Sequence, residues 1–221
     1  MSVITIERKV LEKNDDVARE NRATFALEGV FVLNMVSSPG AGKTSILEKT
    51  FEHLRGKIAV GVIEGDVQTD LDAQRVARFG IPAVQIVTRG GCHLEAGLVR
   101  EALQRLDLKS IDLLIIENVG NLVCPANYDL GEHERVVVAS TTEGDDKPLK
   151  YPALFRTASV MLINKMDLVP YLNSQPEVLK KNALSINPGL LVFQTSCVSG
   201  AGIDAWCEWL VANAQRNASK R

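Results

Sequence analysis

Ser37-Ser38-Pro39-Gly40-Ala41-Gly42-Lys43-Thr44 lies between an apolar run, residues 30–36, and a stretch of helical character over 44–54. The pattern is that of a phosphate-binding loop, G-x-x-x-x-G-K-[ST], with Ser37 standing where the first glycine is expected. Gly40 and Gly42 let the backbone wrap closely enough for its N–H groups to face a β-phosphate. The helix that follows turns its positive end on the same charge. Lys43 would bridge β- and γ-phosphate oxygens and the Thr44 hydroxyl would help hold Mg²⁺, with Ala41 and Ser45 completing the nucleotide-contacting run. Serine rather than lysine at position 38 separates this loop from the signature-lysine variant of partitioning ATPases.

Outward from the loop, short apolar runs at 30–36, 58–63, 83–87, 113–117, 135–140, 160–164 and 190–195 read as strands. Helical patterns over 44–54, 72–79, 94–106, 176–185 and 203–214 interleave with them. That alternation predicts an α/β fold, a mostly parallel sheet flanked by helices on both faces, of the P-loop NTPase kind. Residues 1–28 read as a charged lead-in helix, 29–215 as one phosphate-loop domain, and 216–221 as a flexible tail.

A length of 221 residues, 46% hydrophobic and 24% charged, suits one domain with a large core. The net charge of −2 and the lack of a dense Lys/Arg run argue against nucleic acid or an anionic membrane surface as partner. Runs such as 30–36 and 113–116 are too short to span a bilayer, so no membrane insertion is expected. Glu7, Glu12, Asp15, Asp16 and Glu20 are foreign to a secretory leader, and four cysteines are too few for a disulfide framework. The expectation is a cytoplasmic protein with reduced thiols.

Val160-Met161-Leu162-Ile163 runs straight into Asn164-Lys165-Met166-Asp167, an N-K-x-D element of GTP-binding proteins. The Asp167 carboxylate could accept two parallel hydrogen bonds from guanine N1–H and its 2-amino group, which adenine does not offer. Asn164 would contact the base and tie this loop to the phosphate loop, and the Lys165 stem would cover the base face. Thr195-Ser196-Cys197 resembles the S-A-K base loop of the same proteins, with Val198 in place of its lysine, so Ser196 and Cys197 join the GTP/GDP-binding set.

Phosphoryl transfer also needs a metal and a way to orient water. Glu117 ends an apolar strand and opens Glu117-Asn118-Val119-Gly120, a D-x-x-G-like switch in which Gly120 can swing onto the γ-phosphate. Asp66 or Asp72 would complete the magnesium shell, whereas Asp70 reads as a helix cap. Lys43, Asp72 and Glu117 form the catalytic set; with no Gln or arginine finger legible, slow intrinsic hydrolysis is expected.

Cys92-His93 opens the helix after the Gly90-Gly91 turn, and Cys124-Pro125 trails the switch. Two thiolates and an imidazole suit Zn²⁺ or Ni²⁺ and leave a position for water or a second subunit. Two structural cysteines and a surface histidine are the competing reading. Cys197 and Cys207, flanked by Trp206 and Trp209, read as core packing.

The phosphate loop, Cys92-His93-Leu94-Glu95-Ala96, Glu117-Asn118-Val119-Gly120-Asn121-Leu122-Val123-Cys124-Pro125, Ser140-Thr141-Thr142-Glu143-Gly144-Asp145-Asp146 and Asn164–Asp167 together closely resemble the HypB family of hydrogenase maturation GTPases, over about residues 28–212. The resemblance implies a dimerising P-loop GTPase that delivers nickel to a [NiFe] hydrogenase large-subunit precursor, with the metallochaperone HypA as partner and a homodimer in the GTP- or metal-bound state. It also implies that Cys92, His93 and Cys124 bind nickel or zinc near the dimer interface, and that Thr44, Asp72 and Glu117 serve Mg²⁺. Many family members carry a Cys-rich or His-rich N-terminal stretch; residues 1–28 hold neither Cys nor His, so the switch-linked site would be the only nickel site. A urease-type nickel-insertion GTPase is the nearest alternative, but its Cys-Pro-His motif differs from adjacent Cys92-His93 with a separate Cys124. A nucleotide kinase would prefer ATP, against Asn164–Asp167, and a pure binding module would not need Lys43 and Glu117.

Overall fold

Strands that are apolar at every position, such as Leu113-Leu114-Ile115-Ile116, require cover on both faces. The computed structural model, which describes residues 6–66, 75, 76 and 78–219, supplies it. Strands β1 (Phe31–Ser37), β2 (Val60–Asp66), β3 (Ala83–Val87), β4 (Leu113–Glu117), β5 (Glu134–Ser140), β6 (Val160–Asn164) and β7 (Leu191–Gln194) form one parallel sheet in the order β3-β2-β4-β1-β5-β6-β7. Successive side chains point to opposite faces. Leu33, Leu113 and Ile115 pack under helices α2 (Lys43–Leu54) and α7 (Ile203–Ala218), around the buried Trp206. Val32, Leu114 and Ile116 face α1 (Ile6–Leu27) and α3 (Ala96–Leu103). Val137, Met161 and Ile163 are covered by α5 (Pro152–Thr157) and α6 (Pro176–Ile186), beside the single turn α4 (Lys147–Lys150).

Several boundaries move. Strand β2 continues three residues past the predicted 58–63, because β3 pairs with it as far as Asp66↔Val87, and this carries Glu64 and Asp66 to the sheet edge where the functional loops lie. Helix α7 reaches Ala218, into the predicted tail, and most of the helix expected over 72–79 lies outside the described residues. Within the predicted lead-in segment, α1 buries one face, with Ala18 and Phe25 fully covered. No helix among the described residues is long and apolar enough to cross a membrane.

Candidate functional site

Strand β1 lies between β4 and β5; the chain leaves it at Ser37 toward β2 on one side, while the chain leaving β4 crosses to β5 on the other, which opens a crevice at the carboxyl ends of the strands. The phosphate loop fills that position. Gly42 has φ 99°, and a Cβ there would stand 2.4 Å from Asn164 Nδ2, so glycine is demanded by both conformation and space. The same amide nitrogen donates to the Ala41 carbonyl oxygen at 3.1 Å, the tie between base loop and phosphate loop. A cavity of about 590 Å³ opens here, bounded by the loop, Glu64, Asp66, Arg75, Glu117, Gly120 and Lys165.

Glu117, only 3% exposed, accepts a hydrogen bond from Thr44 Oγ1 at 3.2 Å and stands 3.5 Å from Lys43 Nζ. This hydroxyl and carboxylate, side by side under the phosphate loop, are hard oxygen donors of the sort Mg²⁺ prefers. Gly120 lies against Pro39, within reach of the loop. Asp72 and Asp70 lie outside the described residues; Asp66 lines the cavity. Two cavity residues escaped the sequence reading. Glu64 is buried and stands in register with Glu117 on the neighbouring strand; a carboxylate inside an apolar strand was its signal. Arg75 grips the Glu48 carboxylate through Nε and Nη2 at 2.9 and 2.8 Å at the cavity wall, and no motif marks it.

At the base end, Asn164 Oδ1 accepts from Thr195 Oγ1 at 3.3 Å, with Cys197 Sγ 3.7 Å away. Lys165, at φ 62°, extends Nζ to the Gly40 carbonyl oxygen at 2.7 Å. Ser196 Oγ donates to Asp167 Oδ1 at 2.5 Å and accepts from the Val198 and Ser199 amides, which fixes the carboxylate in the loop. Val198 is 85% exposed, so nothing from that side chain replaces the missing lysine. Thr141, within the Ser140–Asp146 motif, donates to the Lys165 carbonyl oxygen at 2.9 Å. Cys207 and Trp206 are core residues, and burial pushes the Cys207 thiol up to about 12. Cys197 differs from the expectation of plain core packing: it is half-buried at the core margin, beside Asn164.

Cys92, His93 and Cys124 converge from two loops, the one after β3 and the one after β4. Cys92 Sγ lies 2.8 Å from Cys124 Sγ and 3.5 Å from His93 Nδ1, and one donor atom from each residue falls within 4.8 Å of the others. The His93 ring packs on Tyr128 at 3.9 Å between centroids; burial lowers its pKa, against the pull of Glu95, and so favours the neutral imidazole that ligates metal. Cys92 and His93 do not open the helix, as the spacing had suggested; α3 begins at Ala96. The reason is that the Leu94 amide donates to Asn118 Oδ1 at 3.0 Å and so is held by the switch loop instead of a helical turn. Asn121 Nδ2 adds a bond to the Cys92 carbonyl oxygen at 3.2 Å. Behind Asn118 a buried chain continues: its Nδ2 donates to Asn34, Asn34 to Glu132, and Arg135 holds the Glu132 carboxylate at 2.8 and 3.0 Å. Two sulfurs and a ring nitrogen at this spacing suit a borderline-soft divalent cation.

Residues 31–194 match the model of the CobW/HypB/UreG nucleotide-binding domain. The chain is 52% identical over 208 residues to the hydrogenase maturation factor HypB of Azotobacter vinelandii, an alignment spanning 94% of this chain and 69% of that protein. Its fold is similar to that of HypB from Helicobacter pylori solved in complex with nickel, with a TM-score of 0.88 and 38% identity over 93% of this chain and 97% of the other. The hydrogenase maturation factor HypB of Archaeoglobus fulgidus superposes with a TM-score of 0.86 at 37% identity, over 92% of this chain and 99% of that one.

Proposed function

This chain belongs to the HypB family of hydrogenase maturation factors, within the CobW/HypB/UreG nucleotide-binding domain, and from that premise we propose that it is a GTP-hydrolysing nickel carrier assisting nickel insertion into [NiFe] hydrogenase. The observation that carries the reading is the continuity of one segment. Glu117, bonded to Thr44 under the phosphate loop, is followed at once by Asn118 and Asn121, which hold the backbone of Leu94 and Cys92, and then by Cys124 itself. Whatever moves Glu117 moves the ligand loops.

Guanine is selected by Asp167, whose second oxygen is left for the base once Ser196 has fixed the first. A site built on such bonds rejects the wrong base by about 10⁴-fold, since the wrong base leaves the carboxylate unpaired. Lys43 exchanges Glu117 for phosphate oxygens when GTP enters, and the phosphate-loop amides take up the charge that develops on hydrolysis. Mg²⁺, when bound, would neutralise the phosphates; Thr44, Glu117 and Asp72 would hold it, with Asp66 the alternative to Asp72. Glu117, released from Lys43, pulls on the segment 118–124 and alters the reach of Cys124 toward Cys92 and His93. Nickel is the cargo of that trio, with zinc as competitor. Hydrolysis is slow in the isolated chain. The GTP- or metal-bound form is a homodimer, the setting is the cytoplasm, and the partners are the metallochaperone HypA and the hydrogenase large-subunit precursor.

The test is a Ni²⁺ titration of the purified protein with GDP and with a non-hydrolysable GTP analogue, following mass in solution, with Cys92→Ala and Cys124→Ala alongside. Affinity or dimerisation that depends on nucleotide and is abolished in both variants is the expected result. Nickel binding indifferent to nucleotide and to both cysteines would sink the reading.

A further inference from the structure

We propose that α1 is a clamp for the metal loops, with Asn14 and Asn21 as its positioning residues; the inference rests on reading Cys92, His93 and Cys124 as a metal site. Residues 14, 18, 21 and 25 lie at helical spacing on one face of α1, and all four are buried. Two asparagines on such a face are costly unless every polar atom is bonded. Both bond main chain from the two ligand loops at once, Asn14 through both of its polar atoms and Asn21 through its amide nitrogen. Asn14 accepts the Ala96 amide through Oδ1 at 2.8 Å and donates through Nδ2 to the Asp129 carbonyl oxygen at 2.8 Å. Asn21 Nδ2 donates to the carbonyl oxygens of Ala96 and Leu130, each at 3.0 Å.

Ala96 closes the loop that carries Cys92 and His93; Asp129 and Leu130 close the loop that carries Cys124, next to the Tyr128 ring that packs on His93. The helix therefore staples the loops to each other through bonds separate from those of the switch asparagines. Gly131 permits the approach: it has φ 90°, and a Cβ there would meet the Ala18 carbonyl oxygen at 2.6 Å. Exposed ion pairs, Arg22 with Asp129 and Arg100 with Glu20, sit at the same joint, where such pairs are worth little. None of these bonds reaches the nucleotide pocket, so the clamp acts on metal geometry and not on GTP.

The experiment titrates Ni²⁺ into the GDP-bound 221-residue chain by the ultraviolet thiolate-to-nickel absorbance, with GDP affinity measured in parallel by a fluorescent analogue. Asn14→Ala and Asn21→Ala are expected to weaken Ni²⁺ binding about 10-fold or more while GDP affinity stays within about twofold, the size of effect seen when groups orienting metal ligands are removed. Glu20→Ala, which breaks only the exposed tie, is expected to leave both unchanged. Ni²⁺ affinity within about twofold of wild type in both asparagine variants, or nickel and GDP affinity lost in proportion, would overturn the clamp. A wild-type chain that binds no Ni²⁺, or binds it equally well as Cys92→Ala, would overturn the metal reading itself. A measurement on the unaltered protein guards against misfolded variants: by reciprocity, Ni²⁺ is expected to slow amide hydrogen exchange over residues 14–25. Exchange there that ignores Ni²⁺ counts against the clamp.

Discussion

The nucleotide pocket and the metal loops share one edge of the sheet but are built by different means. The pocket is made of compact motifs, each within about eight residues, with the chemistry in the backbone: loop amides, the Gly42 conformation, the N-terminus of α2. The proposed metal site has no such scaffold. Cys92, His93 and Cys124 stand in irregular loops held by side-chain amides reaching from elsewhere: Asn118 and Asn121 from the switch, Asn14 and Asn21 from α1. Backbone cradles are rigid and locally encoded, whereas side-chain staples can be gained or lost one at a time. Such a construction would make the proposed metal site the adjustable partner of a fixed nucleotide site.

The largest expected effect breaks the comparison from the nucleotide side. Asp167→Ala is expected to cost about 10⁴-fold in guanine-nucleotide affinity, because the base donors lose their carboxylate. Calorimetry with GDP checks it, and Ni²⁺ affinity without nucleotide is expected to stay at the wild-type value; a parallel fall would mean that the two sites are one structural unit. Next, Lys43→Ala is expected to slow single-turnover GTP hydrolysis about 10²–10³-fold, the worth of one preorganised charge-stabilising donor. Because it also strips Glu117 of its ammonium partner, Ni²⁺ titration of this variant reports whether Glu117 speaks to the metal loops. The smallest effect sharpens the comparison at the seam. Asn118→Ala is expected to bind both GDP and Ni²⁺, but with the ratio of Ni²⁺ affinities between GDP and GTP-analogue forms driven toward unity, a loss of about 1–3 kcal/mol of coupling. A ratio kept at its wild-type value would move the link away from Asn118.

Much of the fold was legible because its signals are periodic and local. Leu113-Leu114-Ile115-Ile116 could only be a strand covered on both faces, and the strands at 83–87, 113–117 and 160–164 fall where the pattern put them. The site was legible unevenly. Gly40–Thr44 and Asn164–Asp167 were read from motif chemistry alone, while Cys92, His93 and Cys124 stayed open between metal ligands and ordinary thiols until the family resemblance was weighed. Arg75 was passed over because no spacing sets it apart from a solvated charge, and Glu64 because its one signal, a carboxylate inside an apolar strand, does not say what it faces. The inner face of α1 was missed for a related reason: asparagines at 14 and 21 look polar in a charged segment, and only their partners make them structural.

By itself the sequence determined the phosphate loop, the N-K-x-D loop that ends β6 and the alternation of strands and helices, because backbone conformation, helix polarity and side-chain periodicity act within a few residues. What only the tertiary structure decided was which distant residues meet. Placing β4 between β2 and β1 brings the loops after β3 and β4 together, so that Cys92 meets Cys124 across 32 positions and Asn14 reaches Ala96 across 82. Those meetings follow from strand order and helix docking, which depend on burying whole faces against one another, and no local pattern records them.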